Sequence, residues 1–189
     1  MRVVVPLDPE GRRLAAGVGP RVVVFDSADT TPPEIPRLTW SCAPLTEEVR
    51  ALFVEGDRLY VDMDFSIAIC DINNPAAPQF LHQWPMIGSI QAVESSVLYL
   101  WDDRGDITLI LASDARRPEI GGTLGLVKSL ESRGLGRFMS VSRGLAYLIR
   151  ATEFGCTRGS CWDEHFVLEV FDVSHPRAPV KVFWTPETG

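Results

Sequence analysis

The chain has 189 residues and a formal net charge of −7, which excludes non-specific binding to nucleic acid or to an anionic membrane surface. Apolar residues make up 46% and charged residues 23%, the balance of an ordinary folded domain with room for a core. No apolar run approaches the ~20 residues of a membrane-crossing helix, and the start, MRVVVPLDPEG, is too short and too soon charged for a signal peptide.

In chain order, short apolar runs alternate with turn residues. They predict strands at Arg2–Leu7, Arg12–Gly17, Pro20–Asp26 and Ile35–Ser41. The next four fall at Val49–Glu55, Arg58–Met63, Ser66–Ile72 and Pro78–Trp84. A third set runs Ser89–Glu94, Val97–Trp101, Asp106–Ala112 and Glu119–Gly125. After LVKSLESR (Leu126–Arg133), which reads as two helical turns packed on the rim, come Phe138–Ser142, Leu145–Ala151, His165–Val173 and Pro179–Thr185. Links such as Gly56-Asp57 and Asp103-Arg104-Gly105 suit tight hairpins, where glycine and Asn/Asp accept positive φ.

The four sets keep step. Asp26, Asp71, Leu111 and Asp172 share one position, and Pro33, Pro78, Pro118 and Pro179 each lie seven residues further on. Upstream, Ala15, Tyr60, Tyr99 and Tyr147 share another position, provided the fourth copy carries an insertion of about 14 residues. Proline cannot donate to a ladder, so it ends pairing, and the aspartate before it accepts N–H groups across the turn. Four strands in each of four copies is the pattern of β-propeller blades. The fold class expected is all-β: a propeller or partial propeller of four four-stranded antiparallel blades. The blades fall at about residues 1–41, 49–84, 89–125 and 138–185 of a single domain. No strand is left over to share a blade between the two ends. A ring must therefore close face to face, or the chain pairs with another copy as a homodimer.

The stretches SIAICDINNPAAP and FVLEVFDVSHPRAPV resemble the LVIVD repeat of bacterial and archaeal proteins, a hydrophobic strand ending in Asp and followed by a polar turn with two prolines. Residues 21–33 match in part. Residues 107–118 depart, with Leu111 at the Asp position and Ala115 at the first proline. The resemblance implies a β-propeller, often of a secreted or cell-envelope protein, with no catalytic residues to carry over. Family members tend to have more than four blades.

On a propeller, the links between strands two and three and the links between blades emerge on one face. That face collects Cys42–Glu48, Pro85–Gly88, Val127–Arg137 and the insertion Glu153–Glu164, and function concentrates on such loops. It carries Asp62 and Asp64 in the second blade, Trp101, Asp102, Asp103 and Asp106 in the third, and Trp162, Asp163 and Glu164 in the fourth. Grouped carboxylates suit Ca²⁺ or a basic partner, and Asp is also a common turn residue. Arg104-Gly105-Asp106 matches an integrin-type tripeptide only by its three residues. Cys156 and Cys161 are spaced for a small disulfide loop, for free thiols, or for half of a metal site. Trp40, Trp84 and Trp184, ending outer strands, are expected to pack between blades.

No Ser/His/Asp order, HExxH, GxSxG or phosphate loop is present. The reading is a non-catalytic scaffold that grips a protein or carbohydrate partner, with no cofactor. The alternatives are a metal-assisted hydrolase or lactonase-like propeller, for which Glu55 and Glu94 are the metal candidates on the innermost strands, and a fragment of a larger repeat protein.

Overall fold

A computed structural model describes residues 4–26, 37–41, 45–74, 77–86, 88–102, 106–125, 137–157 and 160–185, and the side chains of all these except 37–41, 137–138, 150–157 and 160–165. Every described element is a strand. The first blade comprises β1 (Val4–Pro6), β2 (Arg13–Gly17), β3 (Val22–Asp26) and β4 (Arg37–Ser41). The second comprises β5 (Val49–Glu55), β6 (Arg58–Met63), β7 (Ser66–Asp71) and β8 (Gln79–Pro85). The third comprises β9 (Ser89–Glu94), β10 (Val97–Trp101), β11 (Ile107–Leu111) and β12 (Glu119–Leu124). The fourth comprises β13 (Arg137–Ser142), β14 (Leu145–Thr157), β15 (Ser160–Asp172) and β16 (Val180–Trp184). Each blade is an antiparallel meander paired in chain order, as the repeat required. Leu126–Arg133, the expected helical turns, lies outside the described residues.

The repeat is carried down to single residues. Ala15 pairs with Val24, Tyr60 with Ile69, Tyr99 with Leu109 and Tyr147 with Val170, each between strands two and three of its blade. At that same position of strand three the register with strand four slips by one residue in all four blades. A bulge there bends the outer strand and increases its twist. Past strand three the chain turns through a bond from residue i+3 to i: Ala77 N–H to Asn74 O, Arg117 N–H to Asp114 O, and Ala178 N–H to His175 O. Asp71 and Asp172 accept the N–H groups of Asn73 and Ser174, as their position predicts. In the third blade Leu111 cannot do this, and Asp114 accepts from Arg116 instead.

Period-two alternation puts one set of side chains on each face of a blade. The face toward the following blade is called forward here, the other backward. Val22 and Val24 face forward into a core with Leu59, Val61, Ala68 and Cys70 of the second blade. Tyr60, Ile67 and Ile69 face forward onto Leu98, Leu100 and Ile110 of the third. Tyr99, Ile107 and Leu109 face forward onto Ala146, Leu148 and Phe171 of the fourth. Three joints therefore hold four blades, and no single blade covers its own faces. Trp84 packs into the second joint as expected. Trp184 departs from expectation: it is half exposed, on the edge strand β16. The side chain of Trp40 is outside the described set.

Candidate functional site

The inner strands β1, β5, β9 and β13 line one cavity of about 630 Å³ on the propeller axis. Its wall mixes apolar side chains such as Leu7, Phe53, Val93, Met139 and Val141 with polar surface to which Gln91, Asp8 and Ser140 belong. The two carboxylates at the ends of inner strands β5 and β9 are engaged with neighbouring turns. Glu55 accepts the N–H of Ser96, in the β9–β10 turn of the next blade, at 2.7 Å. Glu94 accepts the N–H of Arg143, in the β13–β14 turn, at 3.0 Å. Ser96 and Arg143 both have positive φ, the conformation of tight hairpin turns. The pair thus repeats one device, in which a glutamate at the end of an inner strand holds the neighbouring blade's first hairpin. Among the described residues, no three or more His, Cys, Asp and Glu side chains are grouped to hold a metal.

The loop-rich face is organised differently in each blade. In the second, the link before β5 reaches over the β6–β7 hairpin. Glu47 accepts from the Phe65 N–H and, at 2.9 Å, from the Ser66 hydroxyl. Gln83 donates to Ser66 Oγ and to Thr46 Oγ1 at 2.9 and 2.7 Å. Asp64 pairs with Arg50 at 3.3 Å in the open, a contact of small worth. Glu47, Ser66 and Gln83 escaped the sequence analysis, since single polar residues in a link and two strands carry no motif.

Asp62 was expected among the surface carboxylates, yet it is 3% exposed. Alternation turns it forward, into the joint with the third blade. There Oδ2 accepts the Ile90 N–H at 3.3 Å, and Oδ1 has no hydrogen-bond partner. Burial pushes its pKa up to about 6, against the Ile90 bond and the Arg50 charge, which pull it down. Asp62 is a joint residue, held where ionisation is costly.

In the third blade Asp102 Oδ1 accepts the Asp106 N–H at 2.9 Å, and their backbones bond as well. The carboxylate of Asp102 is thus tied to its own turn. Trp101 is half-buried against the core of the third joint. Asp103, with Arg104 and Gly105, lies outside the described residues.

The fourth blade holds the largest departure from the sequence reading. Glu153–Glu164 was expected as an inserted loop; its described residues, 153–157 and 160–164, are the far ends of two 13-residue strands. β13 pairs only as far as Arg150, and β16 stops opposite Glu169. Beyond them Ala151–Thr157 and Ser160–Phe166 continue as a two-stranded ribbon. At ~3.3 Å per residue, it stands roughly 20 Å past its own sheet, on the loop-rich side. Trp162 lies opposite Phe154 and Glu164 opposite Glu153, with Asp163 in a register shift between them. Cys156 and Cys161 are directly opposite each other, the backbone relation a cross-strand disulfide uses.

No family model matches the chain, and no curated protein matches it. Among solved structures, it is similar to a chain in the S. cerevisiae complex titled dbp5 L327V bound to nup159, gle1 H337R, IP6 and ADP, with TM-score 0.43 and 9% identity over 97% of this chain. It is also similar to the N-terminal domain of Nup159, with TM-score 0.37 and 11% identity over 87% of this chain. The matches span 61% and 56% of those chains.

Proposed function

We propose that this propeller is a non-catalytic scaffold whose loop-rich face binds a protein partner, with the β14–β15 ribbon as the principal contact. The observation that carries this is the ribbon itself. The other three blades turn back within a few residues of their sheets, while β14 and β15 run on together with no flanking strand among the described residues. Each edge of such a ribbon presents backbone donors and acceptors to an extended peptide, which joins as an added strand. Carbohydrate recognition has no comparable support, because a ribbon edge reads peptide backbone. The acidic residues Asp64, Asp106, Asp163 and Glu164, in a chain of net charge −7, favour a basic segment. Engagement of Glu55 and Glu94 in joint contacts supports the non-catalytic reading over a carboxylate-based hydrolase.

The test replaces Thr152–His165 by Asn-Gly, which closes a two-residue hairpin on the Ala151–Phe166 pair and keeps the blade. Proteins retained from lysate by the full chain, lost on trimming and released by raised salt would support the reading. Equal retention by both forms would contradict it.

A further inference from the structure

The proposed function uses the loop-rich side; a separate observation concerns the two ends of the blade stack. Among the described residues, β1 meets β5, β5 meets β9 and β9 meets β13, and no comparable contact joins β13 to β1. Among the described residues, the first blade's backward face is thus only half-covered and the fourth blade's forward face largely open. These are not ordinary surfaces. The chain has three tyrosines, all at one position of the repeat. Tyr60 is 0% exposed and Tyr99 2%, each covered by the blade that follows, whereas Tyr147 is 37% exposed. Around Tyr147, Ile149, Phe166 and Phe183 also lie open, and the register puts them on the same forward face. On the first blade, Leu14 and Ala16 are only half-buried, while their counterparts Leu59, Val61, Leu98, Leu100, Ala146 and Leu148 are at most 1% exposed.

We infer that a second copy of this chain covers both faces, the fourth blade of each copy packing on the first blade of the other to make a two-fold ring of eight blades. Three arguments single out a second copy. Every internal joint unites a forward face with a backward face, and the free pair comprises one of each kind, so each fits the other by the operation that already relates neighbouring blades. A contact of unlike faces closes when its rotation returns to the start, and eight blades lie within the range propellers adopt. Finally, a four-stranded face covers about 300 Å² at ~4.8 Å between strands and ~3.3 Å per residue. Two joints bring four such faces together, about 1,200 Å², which reaches the size of stable interfaces.

The test is the mass of the full chain by light scattering, across its range of soluble concentration. A species of twice 20.9 kDa is expected. A 20.9 kDa species throughout, as when the chain closes on itself or another protein is the natural cover, overturns the inference, and so do species that grow without limit. Tyr147→Lys and Ala16→Glu are each expected to weaken self-association on the order of 100-fold by burying an unpaired charge. Mixed in equal amounts they should recover it, because one joint then pairs Lys with Glu and the other is native. Failure to recover identifies a joint of like faces and overturns the ring. If Tyr147→Lys does not give the native circular dichroism, Ile149→Lys on the same face replaces it.

Discussion

The joint between the third and fourth blades and the largely open forward face of the fourth are built from the same parts, yet only one is a core. At the joint, Tyr99 is sealed under Ala146, Leu148 and Phe171. One blade on, Tyr147 occupies the same place in its sheet with more than a third of its surface open. The difference teaches that sequence within a blade sets which side chains share a face, and that the neighbouring blade turns that face into a stabilising element. Ends of the stack, not defects in the repeat, leave apolar surface in water.

The largest effect should come from cutting the matched tyrosines. Tyr99→Ala is expected to cost about 4 kcal/mol in chemical unfolding, as for other large aromatic truncations in cores. Tyr147→Ala should cost under ~1 kcal/mol in dilute solution, with a penalty that grows with protein concentration, because binding at that face adds stability by mass action. Equal costs at the two sites would erase the comparison.

The same joint also holds a charge. Glu169 is fully buried on the backward face of the fourth blade and meets Lys181 Nζ at 2.6 Å, with Lys181 lying 5.2 Å from the centre of the Phe171 ring. Lys181→Met removes the ammonium from a fully buried carboxylate and should cost about 3 kcal/mol, read by denaturant midpoint. A loss below ~1 kcal/mol would mean that the other contacts of Glu169 hold its charge without Lys181.

A further variant sharpens the contrast through pH at the second joint. The folded pKa of Asp62, about 6, lies above its unfolded value of 3.8. The protonated form is thus favoured in the fold. Its contribution is fully present below the unfolded value and is lost as pH rises through about 6, on the order of 3 kcal/mol. Asp62→Asn should flatten stability over that window and raise it at neutral pH. An unchanged pH profile would show that the carboxylate is solvated.

On the rim, Gly122 donates to Pro176 O at 2.7 Å, and a Cβ there would lie 2.3 Å from Pro179 Cδ. Gly122→Val should force the outer strand away from the fourth blade at a cost of about 2 kcal/mol. A smaller effect is expected from Glu55→Gln, about 1 kcal/mol for exchanging a charge-assisted bond to the Ser96 N–H for a neutral one.

The fold was legible because its signals are local. Tyr60, Tyr99 and Tyr147, and the Asp-to-Pro spacing after strand three, lie within one blade and repeat. The site was less so, for a physical reason in each case. Alternation places Asp62 on the forward face, but only the arrival of Ile90, 28 residues on, reveals that this face is buried. Glu55 and Glu94 end inner strands, yet their partners lie 41 and 49 residues away in another blade. The ribbon hid behind residues that read as loop chemistry: Gly155, the two cysteines and the acidic pair Asp163 and Glu164 interrupt an alternation that the paired strands nonetheless maintain through two register shifts.

The most direct measurement is nitration of the native protein with tetranitromethane, followed by peptide mass spectrometry, since the three tyrosines report the two kinds of face at one position of the repeat. The account predicts that, in solution dilute enough to leave the chain monomeric, Tyr147 is modified first, and that Tyr60 and Tyr99 resist at every protein concentration. Modification of Tyr60 or Tyr99 as fast as Tyr147 would contradict the stacking of blade on blade that holds this chain together.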